Sequence, residues 1–135
     1  MLKSAQLGKE IVVTVMNKIG VLADMTKILA DHGINIQAVT GYAVNNEATI
    51  MVVTEDNLRA LDALKKAGYK GAKENPVIIL ELENKAGALK NITVRLASEN
   101  IDIRYIYGTT CMAACPSRVV LSTNNDEKAL VAFRK

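Results

Sequence analysis

The sequence predicts an α+β fold of two tandem β-α-β-β-α-β modules, the second short of its last strand. Three observations carry that expectation. A 20-residue stretch occurs twice, 67 residues apart. Each copy alternates short β-branched runs with segments of helical apolar period. The chain stops soon after the second helix of the second copy.

The repeat is direct. Residues 17–36 read NKIGVLADMTKILADHGINI and residues 84–103 read NKAGALKNITVRLASENIDI, with nine of 20 positions identical and no gap. Average residue usage gives roughly one or two identities by chance. Gly33 of the first copy is Asn100 in the second. These are the two residues that most readily turn left-handed past a helix end. Gly41 likewise matches Gly108, and TIMVVT (49–54) resembles RVVLST (118–123) after a two-residue insertion.

The elements follow in order. KEIVVTVM (9–16) is β-branched and predicts a strand. NKIG is a turn. Leu22, Met25, Ile28 and Leu29 then fall on one helical face, and that helix ends near His32 with Gly33 beyond it. INIQAVTGY (34–42) alternates as a strand, Asn45-Asn46 marks a hairpin, and 49–54 is the third strand. Leu58, Leu61 and Leu64 make a second helix, and Tyr69 to Lys73 is a candidate fourth strand. This order is the split βαβ of ferredoxin-like folds. Module boundaries of 1–74 and 75–135 follow. A second module without its fourth strand leaves an unpaired edge, so residues 1–8 or a partner chain are expected to cover it.

An N-K-x-G-x-L turn into the first helix and an exit of the G-x-N-I kind into the second strand (NKIGVL with GINI, NKAGAL with NIDI) resemble the ACT domain. The resemblance covers nearly the whole chain as two copies. It implies a regulatory fold that binds amino acids at interfaces between paired modules, here as a stand-alone, non-catalytic homodimer acting on an enzyme or regulator. The second copy departs from the pattern in its shortened end and in the insertion CMAACPS.

The repeated turn has chemistry of its own. A helix start offers free N–H groups and a positive dipole end, which suit a carboxylate. Gly20 and Gly87 there let a ligand approach the backbone. Asn17 and Asn84 both donate and accept, Lys18 and Lys85 can pair with an anion, and Asn35 and Asp102 lie on the next strand, where Asp102 can balance an ammonium. Ile19, Val21, Leu22 and Ile36 of the first copy, with Ala86, Ala88, Leu89 and Ile103 of the second, complete the candidate ligand-binding set. The first turn is the better candidate, because Ala86 and Ala88 present less apolar surface than Ile19 and Val21. A helix terminus contributes only about 0.3–1 kcal/mol, whereas a metabolite bound in the micromolar to millimolar range needs about 4–8 kcal/mol. The site therefore requires enclosure, as between modules. The competing reading makes Asn-Lys-x-Gly a plain strand-to-helix turn with Leu22 and Leu89 as core staples.

Other classes are weaker. Net charge is +3 and the lysines are scattered, without the basic stripe and interleaved aromatics of a nucleic-acid reader. No run approaches the ~18 apolar residues of a membrane span, and MLKSAQLGKEIVV lacks a signal peptide's apolar region, so a cytoplasmic protein is expected. No cofactor is called for. Cys111 and Cys115 form no disulfide framework and fall short of a four-ligand zinc site. A redox pair is conceivable, but incidental loop cysteines are favoured. His32 is a dipole partner at a helix end. Tyr105 and Tyr107 read as core or interface packing before pocket wall, and Arg104 and Arg118 as an anion clamp or plain surface charge. An enzyme would have to draw on Asp24, Thr26, Thr93 or Lys85, with no histidine beside them.

Overall fold

The computed structural model describes residues 1–112 and 114–134. The strands among them are β1 (Leu2–Met16), β2 (Ile36–Val44), β3 (Glu47–Thr54), β4 (Lys73–Leu82), β5 (Ile103–Thr109) and β6 (Ser117–Thr123). The helices are α1 (Val21–Asp31), α2 (Asn57–Lys66), α3 (Ala88–Ser98) and α4 (Asp126–Phe133). The chain divides into a first unit, residues 9–75, and a second, residues 76–135 together with 1–8.

In the first unit β3 lies between β2 and β1, antiparallel to both, with Val13 opposite Ile50 and Gly41 opposite Ile50 on the other side. Alternation sends Ile11, Val13, Ile50 and Val52 to one face, where Met25 and Leu29 of α1 and Ala60 and Leu64 of α2 bury them. Each such large side chain contributes roughly 1.5–3 kcal/mol by leaving water. Leu58, expected on the same stripe of α2, is 71% exposed. The small Ala60 and Ala63 take the buried positions and let the helix lie close to the sheet.

The second unit repeats the plan. β6 lies between β5 and β4, with Leu80 opposite Val119 and Gly108 opposite Val119. Its core joins Ile78, Leu80 and Leu82 to Ile92 and Leu96 of α3 and to Ala129, Ala132 and Phe133 of α4. The edge left by the absent fourth strand is occupied. β1 is the neighbour of β4, and its Leu2 and Ala5 pack against this core. The Glu83 N–H also donates to the Met1 carbonyl at 2.8 Å.

The fourth strand expected at Tyr69–Lys73 is displaced. Residues 68–71 are a turn, with Gly68 at φ 110° and the Ala72 N–H donating to the Tyr69 carbonyl at 3.1 Å. The strand starts only at Lys73. Tyr69 packs on the core and donates its hydroxyl to Asp24 Oδ2 at 2.5 Å. The helix exits match expectation: Gly33 and Asn100 are left-handed at φ 68° and 57°. Past them, Ile34 and Ile101 donate to the carbonyls of Leu29 and Leu96, which closes each helix end.

Candidate functional site

The two repeated turns share one backbone. Gly20 and Gly87 are the N-cap residues of α1 and α3, left-handed at φ 97° and 86°, and neither helix start has a side-chain cap. Glycine is thus needed for the chain path as well as for access, since any L side chain is strained there. The other two helices are capped: Asp56 accepts from the Arg59 N–H and Asn125 from the Lys128 N–H. α1 and α3 therefore leave first-turn N–H groups without the cap that α2 and α4 possess. Both glycines are exposed. Leu22 and Leu89, which the plain-turn reading makes core staples, are each 47% exposed.

At the second turn this start faces a cleft of about 260 Å³. One wall is Leu82, Glu83, Asn84, Lys85, Ala88 and Leu89; the other is Gly108, Thr109, Thr110, Ser117, Arg118 and Val119, from β5, β6 and the start of the loop between them. Ala88 stands where the first copy has Val21, which packs against its core. Ala88, one of the two smaller side chains that make the second turn the poorer candidate in sequence, lines this cleft. Gly108 belongs to the same opening, where a Cβ would come within 3.2 Å of the Arg118 carbonyl.

The cleft carries both signs of charge. Lys85 Nζ lies 2.8 Å from Glu83 Oε2, both half exposed. This contact with the Lys85 ammonium holds the Glu83 carboxyl below its ordinary range. Lys85 is therefore engaged already and meets an incoming anion only by sharing or exchanging its partner. Asn84 is engaged too: its side-chain amide donates to the Cys111 carbonyl at 3.1 Å. Arg118 pairs with Glu81 across the β4–β6 ladder, Nη2 to Oε1 at 3.2 Å.

At the first turn Asn17, Lys18, Ile19 and Gly20 are exposed, and the Asn17 N–H donates to the Asn46 carbonyl at 2.7 Å. Met16, Ile19, Leu22, Tyr42 and Val44 are 47–108% exposed. Their counterparts in the second copy are Glu83, Ala86, Leu89, Thr109 and Cys111, so the two turns share a backbone and differ in surface.

Within a unit, the second-strand candidates do not join the turns. Asn35 and Asp102 lie at the C-terminal ends of α1 and α3, 11-residue helices of about 16 Å. The Asn35 N–H donates to Glu55 Oε1 and the Asp102 N–H to Asn124 Oδ1. Ile36 and Ile103 pack on the cores. The sequence reading sets these second-strand residues against the turn of another module, not the turn of their own. It does not include Leu82, Glu83, Thr109, Thr110, Ser117 or Val119. The matched pair Gly41 and Gly108 was the available signal.

The remaining candidates have partners. Thr26 and Thr93 donate to carbonyls of their own helices, at Leu22 and Lys90. Tyr69 is bound to Asp24, and its loss of hydration and this carboxylate push its hydroxyl up to about 12. His32 Nδ1 sits 2.8 Å from the Ile28 carbonyl at the end of α1. The Tyr105 and Tyr107 rings stack at 6.5 Å and do not line the cleft. Among the described residues no group of three or more His, Cys, Asp or Glu is placed to hold a metal ion, and no helix is long and apolar enough to cross a membrane.

Comparison with known proteins bears on this geometry. Residues 9–68 match the family model of the ACT domain. Among curated proteins no significant sequence match exists. A protein of Bacteroides thetaiotaomicron superposes with a TM-score of 0.80 at 23% identity, over 96% of this chain and 88% of that one. The regulatory subunit of aspartate kinase from Thermus thermophilus gives 0.67 at 15% identity, over 98% and 96%. The same subunit from Thermus flavus gives 0.59 at 16% identity, over 98% and 96%. These likenesses extend over both copies and establish the shared fold. The ferredoxin-like element order and the glycine-opened helix starts fit the ACT-domain match over residues 9–68, and residues 76–135 repeat the same plan.

Proposed function

We propose that this chain is a non-catalytic regulatory protein that binds a free amino acid, or a zwitterion of similar size, in the cleft beside the second turn. The observation that carries the reading is the uncapped start of α3 opening on that cleft, with Glu83 and Lys85 at its rim. The free N–H groups and dipole of α3 suit the α-carboxylate. Glu83 suits the α-ammonium, and Leu82, Ala88, Leu89 and Val119 suit a small apolar side chain. A volume of about 260 Å³ lies just below the usual range of ligand sites, which favours a small metabolite over a nucleotide.

The name regulatory subunit, carried by the two Thermus proteins of the same fold, supports a regulatory role. The exposed apolar side chains Met16, Ile19, Leu22, Tyr42 and Val44 of the first copy support association, as a homodimer or with the enzyme or regulator under control. The resulting mechanism is a population shift: the ligand favours one arrangement of the assembled protein over another in proportion to its differential affinity.

Thermal unfolding in the presence of each of the twenty amino acids tests this. An amino acid at 100 times its Kd adds about 2.7 kcal/mol, a rise in Tm on the order of 10 °C for a chain of this size. Leu89→Arg, which fills the cleft mouth, abolishes the rise. Leu22→Arg at the matching position of the first copy preserves it. No rise with any amino acid at millimolar concentration defeats the proposal.

A further inference from the structure

The insertion CMAACPS joins β5 to β6, whereas the matching hairpin of the first copy turns on Asn45-Asn46 alone and has no cysteine. Cys111 and Cys115 are paired sulfur to sulfur, their Cα atoms 6.0 Å apart, within the ordinary disulfide range. Cys115 is exposed and Cys111 half-buried. A loop this short gains little stability from being closed, since the entropic benefit grows with loop length. Surface position and small loop therefore describe a bond that can be made and broken more naturally than a staple for the fold.

The pair is also wired to the cleft. Asn84, which opens the second turn, donates its side-chain amide to the Cys111 carbonyl. The Thr110 hydroxyl donates to that carbonyl at 3.3 Å and accepts from the Ser117 hydroxyl at 3.2 Å. Asn84, Thr110 and Ser117 all line the cleft. Cys111 and Cys115 line an adjoining one with Glu81, Thr109, Pro116 and Arg118.

We propose that Cys111 and Cys115 are a thiol–disulfide modification site that sets the rim of the cleft, with a low-molecular-weight disulfide such as oxidised glutathione as co-reactant. From the dithiol, the exposed Cys115 thiolate attacks one sulfur of the small disulfide, forms a mixed disulfide and releases one thiolate. The Cys111 thiolate then attacks Cys115 Sγ and expels the second. The protein loses two protons and two electrons, and the small disulfide gains them to become two thiols. Closing the loop fixes the Cys111 carbonyl as the acceptor for Asn84; opening it releases that acceptor and loosens the turn. The regulatory meaning rests on the ligand reading above, but the switch itself is read without any ligand.

The test equilibrates the full chain in glutathione buffers of graded ratio, then counts maleimide-reactive thiols by mass and records ¹⁵N correlation spectra. In oxidising buffer both maleimide additions are lost. The Asn84 side-chain amide and the Ser117 backbone amide are displaced by more than a linewidth, while the Gly20 amide stays in place. The double variant Cys111→Ser, Cys115→Ser holds the reduced positions in every buffer. Cysteines that remain alkylated at every ratio, or Asn84 signals that coincide in the two forms, overturn the proposal. A moving Asn84 signal with no amino acid stabilising the protein defeats the ligand reading alone.

Discussion

Four residues with positive φ, Gly20, Gly87, Gly33 and Asn100, set where each strand-helix-strand unit turns. A Cβ at Gly20 meets nothing within 4 Å, so Gly20→Ala isolates the backbone strain of a left-handed L residue. Its cost is about 1–2 kcal/mol, read from the urea midpoint at constant slope. Asn100→Ala, at φ 57°, costs on the order of 1 kcal/mol, while Asn100→Gly is close to neutral. These positions were legible in the sequence, because a Gly in one copy facing an Asn in the other names a conformation directly. Other side-chain roles were not. Lys85 and Asn84 could be offered as ligand contacts from residue type alone, but their existing partners, Glu83 and the Cys111 carbonyl, are 3D neighbours that no periodicity reveals.

At the scale of elements, the helices fall into two kinds. α2 and α4 are capped and pack small residues close to their sheets; α1 and α3 begin on left-handed glycines without caps. Element order and most boundaries followed from apolar period and turn residues. The exception is the fourth strand, expected at Tyr69–Lys73, whereas residues 68–71 form a turn and the strand starts at Lys73. Gly68 precedes that segment and Gly71 lies within it, and Tyr69 is drawn to Asp24 on α1. This tie gives a pH signature. The Tyr69 hydroxyl, raised to about 12, holds its proton more tightly in the folded chain than in the unfolded one. Its contribution is fully present below the unfolded value near 10 and is lost as pH rises through about 12. Tyr69→Phe removes a hydrogen bond to a charged acceptor at a partly exposed site, costing about 1 kcal/mol at neutral pH. The variant also flattens the fall in stability between roughly pH 10 and 12, measured by urea unfolding across that window.

Across the whole molecule, duplication has kept the backbone and let the surfaces diverge. Met16, Ile19, Tyr42 and Val44 of the first copy are Glu83, Ala86, Thr109 and Cys111 of the second, an exchange of exposed apolar side chains for polar, small or oxidisable ones around the same turn. The exchange itself is written in the sequence. Its consequence was not legible there, because whether Ala88 in place of Val21 removes a contact or opens a cleft depends on what β5 and β6 place opposite. The occupation of the second unit's edge by residues 1–8 was anticipated, since an unpaired strand edge has to be covered by something. The most direct test of the central claim is a ¹⁵N correlation titration of the full chain with the amino acids in turn. An amino acid bound as proposed displaces the backbone amides of Leu89, Lys90 and Gly108 saturably and leaves those of Leu22 and Gly41 in place. Saturable displacement confined to Leu22 and Gly41, or none with any amino acid, contradicts the assignment of the ligand to the second turn.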